Sequence, residues 1–476
     1  MLSRLFVIEA LFLLPPLGLA WFDGEPDIAQ AFSRTLLLLL VTAGILFVTS
    51  RKAERDFYAR EGFLLVALAW ILISAFGALP LLWSGTIPSY LDAFFEAVSG
   101  FTTTGATIVH EVEALPRAIN YWRCFMLWIG GMGVLVFLLA FLPASGGSGD
   151  NIHVLQAESP GPSIRKLVPK TRQHAAILYA IYLVLSLSCL LFLLLGGMPV
   201  FDSFCTTFAT AGTGGFSIKA DSLASYSPYL QGVICAFMAL FGINFNLLYI
   251  VFLRRFAQAW ADEELRAYVG IIVCATILIA CNTAYLFPNI LDAFGHAIFM
   301  VCSFISSTGY FTFNYDIWPE FARSLLMMLM LVGASAGSTG GGFKIARLVI
   351  LAKSASSELK RMIHPRAVVL TRMNGQRISD QVQRGVHTYL FTYVAILFLS
   401  LLILSLDNFS LETNLTAAIC SLSNMGSGLG MIGPAGTYTE FSALSKMVII
   451  ADMLLGRLEF FPLLLLFNTR SWNRSA

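Results

Sequence analysis

Four short stretches of this 476-residue chain combine glycine with hydroxyl or amide side chains in nearly the same order. They read Phe101-Thr-Thr-Thr-Gly-Ala-Thr107, Ala211-Gly-Thr-Gly-Gly-Phe-Ser217, Ser306-Ser-Thr-Gly-Tyr-Phe-Thr312 and Ser423-Asn-Met-Gly-Ser-Gly-Leu429. Aligning one glycine of each gives Gly105, Gly214, Gly309 and Gly426, an internal repeat with a period of about 100 residues. The chemistry such stretches suit is cation dehydration. A cation leaving water needs oxygens in place of its hydration shell, and backbone carbonyls supply them without a full charge. Aiming successive carbonyls inward requires unusual φ/ψ values, which glycine tolerates. Any one stretch is equally a plain turn or a small-residue helix contact; four matched copies argue for one shared site.

The elements that would hold these stretches are membrane helices. Hydrophobic residues make up 57% of the chain, including 39 Phe, and only 12% is charged, about half the share of a soluble domain. Lipid must solvate most of the chain. Apolar runs predict ten spans, at 5–22, 35–50, 62–84, 123–143, 174–196, 229–253, 267–287, 323–350, 386–406 and 442–468. Pro15-Pro16 predict a kink in the first, which is read as a membrane helix rather than a cleaved leader. Four further apolar segments, 89–108, 200–217, 291–313 and 410–430, are too short to cross and return, and read as re-entrant. Asp92, Asp202 and Glu412 stand near their starts, the two Asp residues as expected N-caps. The opposite helix ends, with partial negative charge, would face the cation.

Lys and Arg concentrate on one set of connections, among them Arg51, Lys52, Arg165, Lys166, Arg254, Arg255 and the stretch 344–384, whereas Asp23, Glu25, Glu111, Glu113, Asp202, Asp316 and Glu440 mark the other. The basic side is cytoplasmic by the positive-inside rule, and an even number of crossings places both termini there. The expected fold is an all-α polytopic membrane protein. Residues 1–60 form an N-terminal hairpin, followed by four helix–pore helix–loop–helix repeats at 61–165, 166–258, 259–365 and 366–476 around one pore.

Gly333-Ala-Ser-Ala-Gly-Ser-Thr-Gly-Gly-Gly342 interrupts the span 323–350. So many glycines will not hold a lipid-facing helix, so a loop within the membrane is expected. It is either a mobile obstruction below the glycine stretches or a hinge and packing surface. Lys344 either steadies that loop or snorkels to the interface. Arg457 is a charge inside an apolar span, and such residues face a cavity or a partner; the alternative is a pair with Asp452 or Glu459. Asn244 and Asn246 either line a cavity or bridge helices by hydrogen bonds, packing being the preferred reading, and Glu9 is expected near the interface. Eight cysteines without a CxxC or a nearby His read as packing residues rather than disulfides or a zinc site. No Walker A or dinucleotide fingerprint occurs, six scattered His argue against a membrane enzyme, and no nucleic-acid partner is expected.

The chain resembles the Trk/Ktr/HKT superfamily of K⁺ transporters, closest to the bacterial TrkH and TrkG type. The resemblance runs through Trp128-Ile-Gly-Gly-Met-Gly133, Phe241-Gly-Ile-Asn-Phe-Asn246, Gly337-Ser-Thr-Gly-Gly-Gly-Phe-Lys344 and Gly456-Arg-Leu-Glu459. It implies K⁺ uptake across a bacterial inner membrane, with K⁺ as the transported ion. The filter it implies comprises Thr103, Thr104 and Gly105; Gly212, Thr213 and Gly214; Ser307, Thr308 and Gly309; and Asn424, Met425 and Gly426. The fourth set departs most, with Met425 in place of Thr and Ser427 where the family often has Pro. Gly105 is the residue that goes with K⁺ rather than Na⁺. The resemblance also implies a gate formed by Gly337, Ser338, Thr339, Gly340, Gly341, Gly342, Lys344 and Arg457, a homodimer embedded in lipid, and a cytosolic TrkA-type ring of RCK/KTN nucleotide-binding domains docked on the basic face. Coupling of K⁺ to Na⁺ or H⁺ in a symporter is the competing reading, since broken helices suit carriers as well.

Overall fold

The structure, a computed structural model, describes residues 2–50, 59–133, 171–366 and 369–466. Most of these residues are helical, as expected where lipid offers no partner for a free backbone N–H or C=O. α1 (Leu2–Phe12) and α2 (Leu14–Phe22) form one apolar rod broken at Leu13, with the proline pair in the first turn of α2. They pack on α3 (Pro26–Thr49), which starts nine residues before the expected 35 because Pro26 opens it, the position where a missing N–H costs least. Then come α4 (Ala59–Gly77), α5 (Leu79–Trp83), α6 (Tyr90–Phe101), α7 (Arg117–Gly131), α8 (Thr171–Leu195), α9 (Val200–Ala211), α10 (Pro228–Phe241), α11 (Phe245–Phe252) and α12 (Phe256–Trp260). The chain continues with α13 (Glu263–Thr283), α14 (Ile290–Ile305), α15 (Glu320–Val332), α16 (Ile345–Ile363), α17 (Asp380–Leu404), α18 (Leu411–Ser423), α19 (Ala443–Arg457) and α20 (Phe461–Leu466). A two-stranded antiparallel hairpin, β1 (Arg372–Met373) and β2 (Gln376–Arg377), joins α16 to α17.

Among the described residues six stretches are long and apolar enough to cross a membrane: Leu2–Phe22, Pro26–Thr49, Glu61–Trp83, Gln173–Leu195, Glu263–Leu286 and Asp380–Asp407. The other four expected spans are not uninterrupted helices. The helix in 123–143 is α7, which ends at Gly131; residues 134–143 lie outside the described part. The span 229–253 is bent by 105° between α10 and α11, where Gly242 and the helix-capping Asn244 stop one helix and start the next. The span 323–350 breaks as expected, with residues 333–344 non-helical between α15 and α16. The last, 442–468, ends as α19 at Arg457 because Glu459 and Phe460 take φ values of +52° and +67°. The basic residues Arg51, Lys52, Arg55, Arg165, Lys166, Lys170, Arg470 and Arg474 lie outside the described part.

The four short helices α6, α9, α14 and α18 alternate with α7, α10, α15 and α19 in a closed order. α6 packs on α7, α7 on α9, α9 on α10, α10 on α14, α14 on α15, α15 on α18, α18 on α19, and α19 back on α6. Each short helix is thereby held by the longer helix that follows it and by the one that follows the preceding short helix. The first-turn acids do not cap these helices. Ser89 and Ser410 are the side-chain caps of α6 and α18, and Pro199 precedes α9. Asp92 instead pairs with Lys446 at 2.7 Å, Asp202 accepts the Tyr226 hydroxyl at 2.8 Å, and Glu412 pairs with Arg323. These acids still lie at the positive helix ends. Glu9, expected near the interface, is 1% exposed. All eight cysteines are free, and Cys274 and Cys281 face outward from α13 instead of packing inside.

Candidate functional site

The short helices end alike. The N–H groups of Thr104, Gly214, Thr308 and Met425 reach back to the carbonyls of Ser99, Ala209, Ser303 and Cys420 at 2.9, 3.0, 2.8 and 2.9 Å. Those of Thr103, Thr213, Ser307 and Asn424 reach Gly100, Thr210, Phe304 and Ser421 at 3.1, 3.1, 3.1 and 3.3 Å. This pair of bonds is the Schellman arrangement, which needs one left-handed residue and usually finds it in glycine. Here the residues are Thr103, Thr213, Ser307 and Asn424, with φ of +58°, +55°, +58° and +50°. A non-glycine residue so placed costs on the order of 1 kcal/mol or more, and such strain clusters at functional sites.

The shared geometry fixes the register. Two residues after each left-handed position come Gly105, Gly215, Gly309 and Gly426, the first three with φ of +79°, +66° and +85°. By backbone geometry Gly215, and not Gly214, is the equivalent of Gly105 and Gly309. Gly212 is the C-cap of α9, equivalent to Thr102 and Ser306.

The four stretches meet. A Cβ added at Gly105 would fall 1.5 Å from the Gly214 carbonyl oxygen, and one at Gly215 would fall 1.9 Å from that of Thr308. One at Gly426 would fall 2.4 Å from the Gly105 oxygen, and one at Gly309 would lie 3.5 Å from Gly426 N. The first stretch thus touches the second, the second the third, the third the fourth, and the fourth the first. The first two junctions are equivalent and the last two are not. At the third, Ser427 Oγ donates to the Gly309 carbonyl at 2.8 Å; at the fourth, Asn424 Nδ2 donates to Thr104 Oγ1 at 3.1 Å and to Met453 O at 2.8 Å.

Buried groups brace the stretches from outside. Glu96 and Arg123, both about 1% exposed or less, pair at 2.7 Å. Glu96 also accepts from Thr107 Oγ1 and the Ile108 N–H, each at 3.0 Å. Tyr310, Tyr315 and Tyr438 donate to the carbonyls of Phe216, Gly428 and Gly426 at 3.3, 2.9 and 3.2 Å. Sequence spacing alone could not have singled out these partners.

The glycine-rich loop 333–344 lies directly against the ends of the short helices. The Gly341 N–H donates to Ser307 Oγ at 2.6 Å, and a Cβ on Gly341 would fall 2.0 Å from the Ser423 carbonyl oxygen. Ser335 N–H donates to Gly242 O at 3.1 Å, and Phe245 N–H to Gly337 O at 3.0 Å. Asn244 caps α11 and lies beside Gly337, and Asn244 and Asn246 both line the cavity beside the loop. Lys344 is buried and folds back, donating to the Gly340 carbonyl instead of reaching outward. Arg457 donates to Thr103 Oγ1 at 3.3 Å, to Thr339 O at 3.1 Å, to Gly131 O at 2.9 Å and to Gly130 O. Glu459 pairs with Arg347, and Asp452 lies 3.4 Å from Ser421 Oγ. The cavity against the loop has a volume of about 1110 Å³, and its lining includes Asn424, Gly341, Lys344, Arg457, Arg255 and Arg377.

Residues 28–474 match the family model for TrkH, described as a cation transport protein. The chain belongs to the TrkH family. It is 34% identical to the Trk system potassium uptake protein TrkH of Salmonella typhimurium, covering 97% of this chain and 95% of that one. It is 32% identical to the Trk system potassium uptake protein TrkG of Escherichia coli, covering 98% and 96%. Among solved structures, the potassium transporter TrkH from Vibrio parahaemolyticus superposes with a TM-score of 0.87 at 30% identity, covering 99% of both chains. TrkH-family relatives are named as transporters, not enzymes, and this chain is a membrane protein of that transport class.

Proposed function

We propose that this chain carries K⁺ into a bacterial cell across the inner membrane, through the axis on which the four glycine stretches meet. The observation that carries the reading is the closed circle of contacts from Gly105 to Gly214, Gly215 to Thr308, Gly309 to Gly426, and Gly426 to Gly105. The coordinating backbone is assigned to Thr103, Thr104 and Gly105; Thr213, Gly214 and Gly215; Ser307, Thr308 and Gly309; and Asn424, Met425 and Gly426. Negative helix ends facing the axis favour cations over anions. Each stretch is short, so a modest number of ion sites and modest K⁺ over Na⁺ preference follow.

The loop from Gly337 to Gly342, held by Lys344 and Arg457, closes the path below the stretches and opens by moving into the cavity. Two cationic side chains at that level also oppose a cation there, by about 4 kcal/mol for each pair of unit charges at 4 Å and an effective dielectric constant of 20. With both termini and the basic face cytoplasmic, an inside-negative potential drives K⁺ inward by about 2.3 kcal/mol per 100 mV. The basic face suits a cytosolic TrkA-type nucleotide-binding ring, and the unit at work is a homodimer.

The test is Rb⁺ and Na⁺ entry into proteoliposomes under an imposed inside-negative potential, with and without Na⁺ or proton gradients. Rb⁺ entry that needs only the potential supports a channel. Entry that stops when the Na⁺ or proton gradient is removed would establish the coupled symporter instead.

A further inference from the structure

Glu264 stands in the first turn of α13 and is 5% exposed. Its Oε1 accepts the Ala336 N–H at 2.6 Å. Ala336 lies between the Ser335 N–H and the Gly337 carbonyl, the two groups that bond to the bend between α10 and α11. The leading limb of the loop is therefore held twice, by backbone on one side and by a single side chain on the other.

The two residues before Glu264 face a different element. Asp262 Oδ2 accepts Asn374 Nδ2 at 2.7 Å, and the Glu263 N–H donates to Asn374 Oδ1 at 2.8 Å. Glu263 also pairs with Lys353, whose Nζ donates to the Arg372 carbonyl at 2.8 Å. Asn374 sits at the tip of the β1–β2 hairpin with φ of +50°. One turn, Asp262–Glu264, thus holds the hairpin with two residues and the loop with the third. The hairpin also comes after α16, which begins where the loop ends, so loop, helix, hairpin and turn form a closed mechanical circuit.

We propose that Glu264 is a positioning residue for the loop, and that the 372–377 hairpin sets the loop's position through the Asp262–Glu264 turn. Lifting the hairpin off Asp262 and Glu263 displaces the turn and slackens the hold of Glu264 on Ala336. The effect on transport rests on the reading of the loop as an obstruction; the hold itself does not.

The test uses the full chain in proteoliposomes and in nanodiscs, as wild type, Glu264→Ala, Glu264→Gln and Asn374→Ala. Two quantities are read: amide hydrogen exchange in peptides covering 333–344, and Rb⁺ entry. Glu264→Ala should speed loop exchange about tenfold, the factor that losing a bond of about 1.4 kcal/mol gives, and should speed Rb⁺ entry. Glu264→Gln should restore both, because its amide oxygen still accepts from Ala336. Asn374→Ala, at an exposed tip, should move both in the same direction by less. Unchanged loop exchange in Glu264→Ala, or failure of Gln to restore it, overturns the role of Glu264. Wild-type loop exchange in Asn374→Ala overturns the link to the hairpin. Faster exchange with unchanged Rb⁺ entry upholds the hold and removes the loop as an obstruction.

Discussion

Arg457 bonds the Thr103 hydroxyl at 3.3 Å, and the same nitrogen bonds the Thr339 carbonyl at 3.1 Å. One guanidinium therefore ties the strained residue of the first glycine stretch to the middle of the glycine-rich loop. Its Nη2 holds the carbonyls at the end of α7. A planar fork with five donors suits this task, and an ammonium does not.

Arg457→Ala should raise Rb⁺ entry in liposomes without any activating partner. It removes both a positive charge at the path and hydrogen bonds worth about 1.5–3 kcal/mol each for a charged donor. About tenfold faster entry is expected, with Arg457→Lys in between. Slower entry with the fold intact would show that Arg457 builds the path instead of closing it.

The register of the second stretch gives a sharper pair. Gly215→Ala puts a Cβ 1.9 Å from a backbone oxygen at a φ of +66°, whereas the nearest atom to a Cβ on Gly214 is Leu127 Cδ2, the far end of a flexible side chain. Gly105→Ala and Gly215→Ala should abolish Rb⁺ entry, Gly214→Ala should reduce it less, and Gly295→Ala, with nothing within 4 Å, should leave it unchanged. A reversed order of Gly214 and Gly215 would mean the second stretch runs one residue differently in the membrane.

Glu96→Gln leaves Arg123 buried without its counter-charge. Breaking such a pair costs about 3–5 kcal/mol, more than replacing both partners with apolar residues of similar size. The thermal midpoint in detergent should fall clearly for Glu96→Gln and recover in the Glu96→Leu, Arg123→Met double variant. Equal midpoints for wild type and Glu96→Gln would place the charge pair outside the stabilising core.

Ser427→Ala and Tyr438→Phe each free one carbonyl, of Gly309 and Gly426, from a hydrogen bond worth about 1 kcal/mol. Both changes should alter the Rb⁺ to Na⁺ entry ratio more than the total rate. A fall in rate at constant ratio would assign these bonds to folding alone.

Much of this architecture was legible because lipid imposes a simple rule: apolar runs long enough to span become helices, as six do among the described residues. The break at Gly333 was equally legible, since five glycines in ten residues override an apolar run. The break at Gly242 was not, because a lone glycine inside the apolar run 229–253 is compatible with a continuous helix until Asn244 is seen to cap α11. The register of the second stretch was open for the opposite reason: Gly212, Gly214 and Gly215 offer three candidates for the position equivalent to Gly105, and the left-handed Thr213 points to Gly215. Asp92 looked like a cap by type, yet Ser89 stands three residues earlier and does the capping. The Glu96–Arg123 pair, separated by 27 residues, and Glu264 against Ala336, separated by 72, had no local pattern to announce them. Long-range polar contacts inside a membrane protein are set by how helices pack, which periodicity does not encode.

The most direct measurement is anomalous diffraction from crystals soaked in Rb⁺ or Tl⁺. Density on the axis enclosed by Gly105, Gly215, Gly309 and Gly426, lost in Gly215→Ala, is the predicted result. An empty axis beside density bound elsewhere in the protein would contradict a shared carbonyl site.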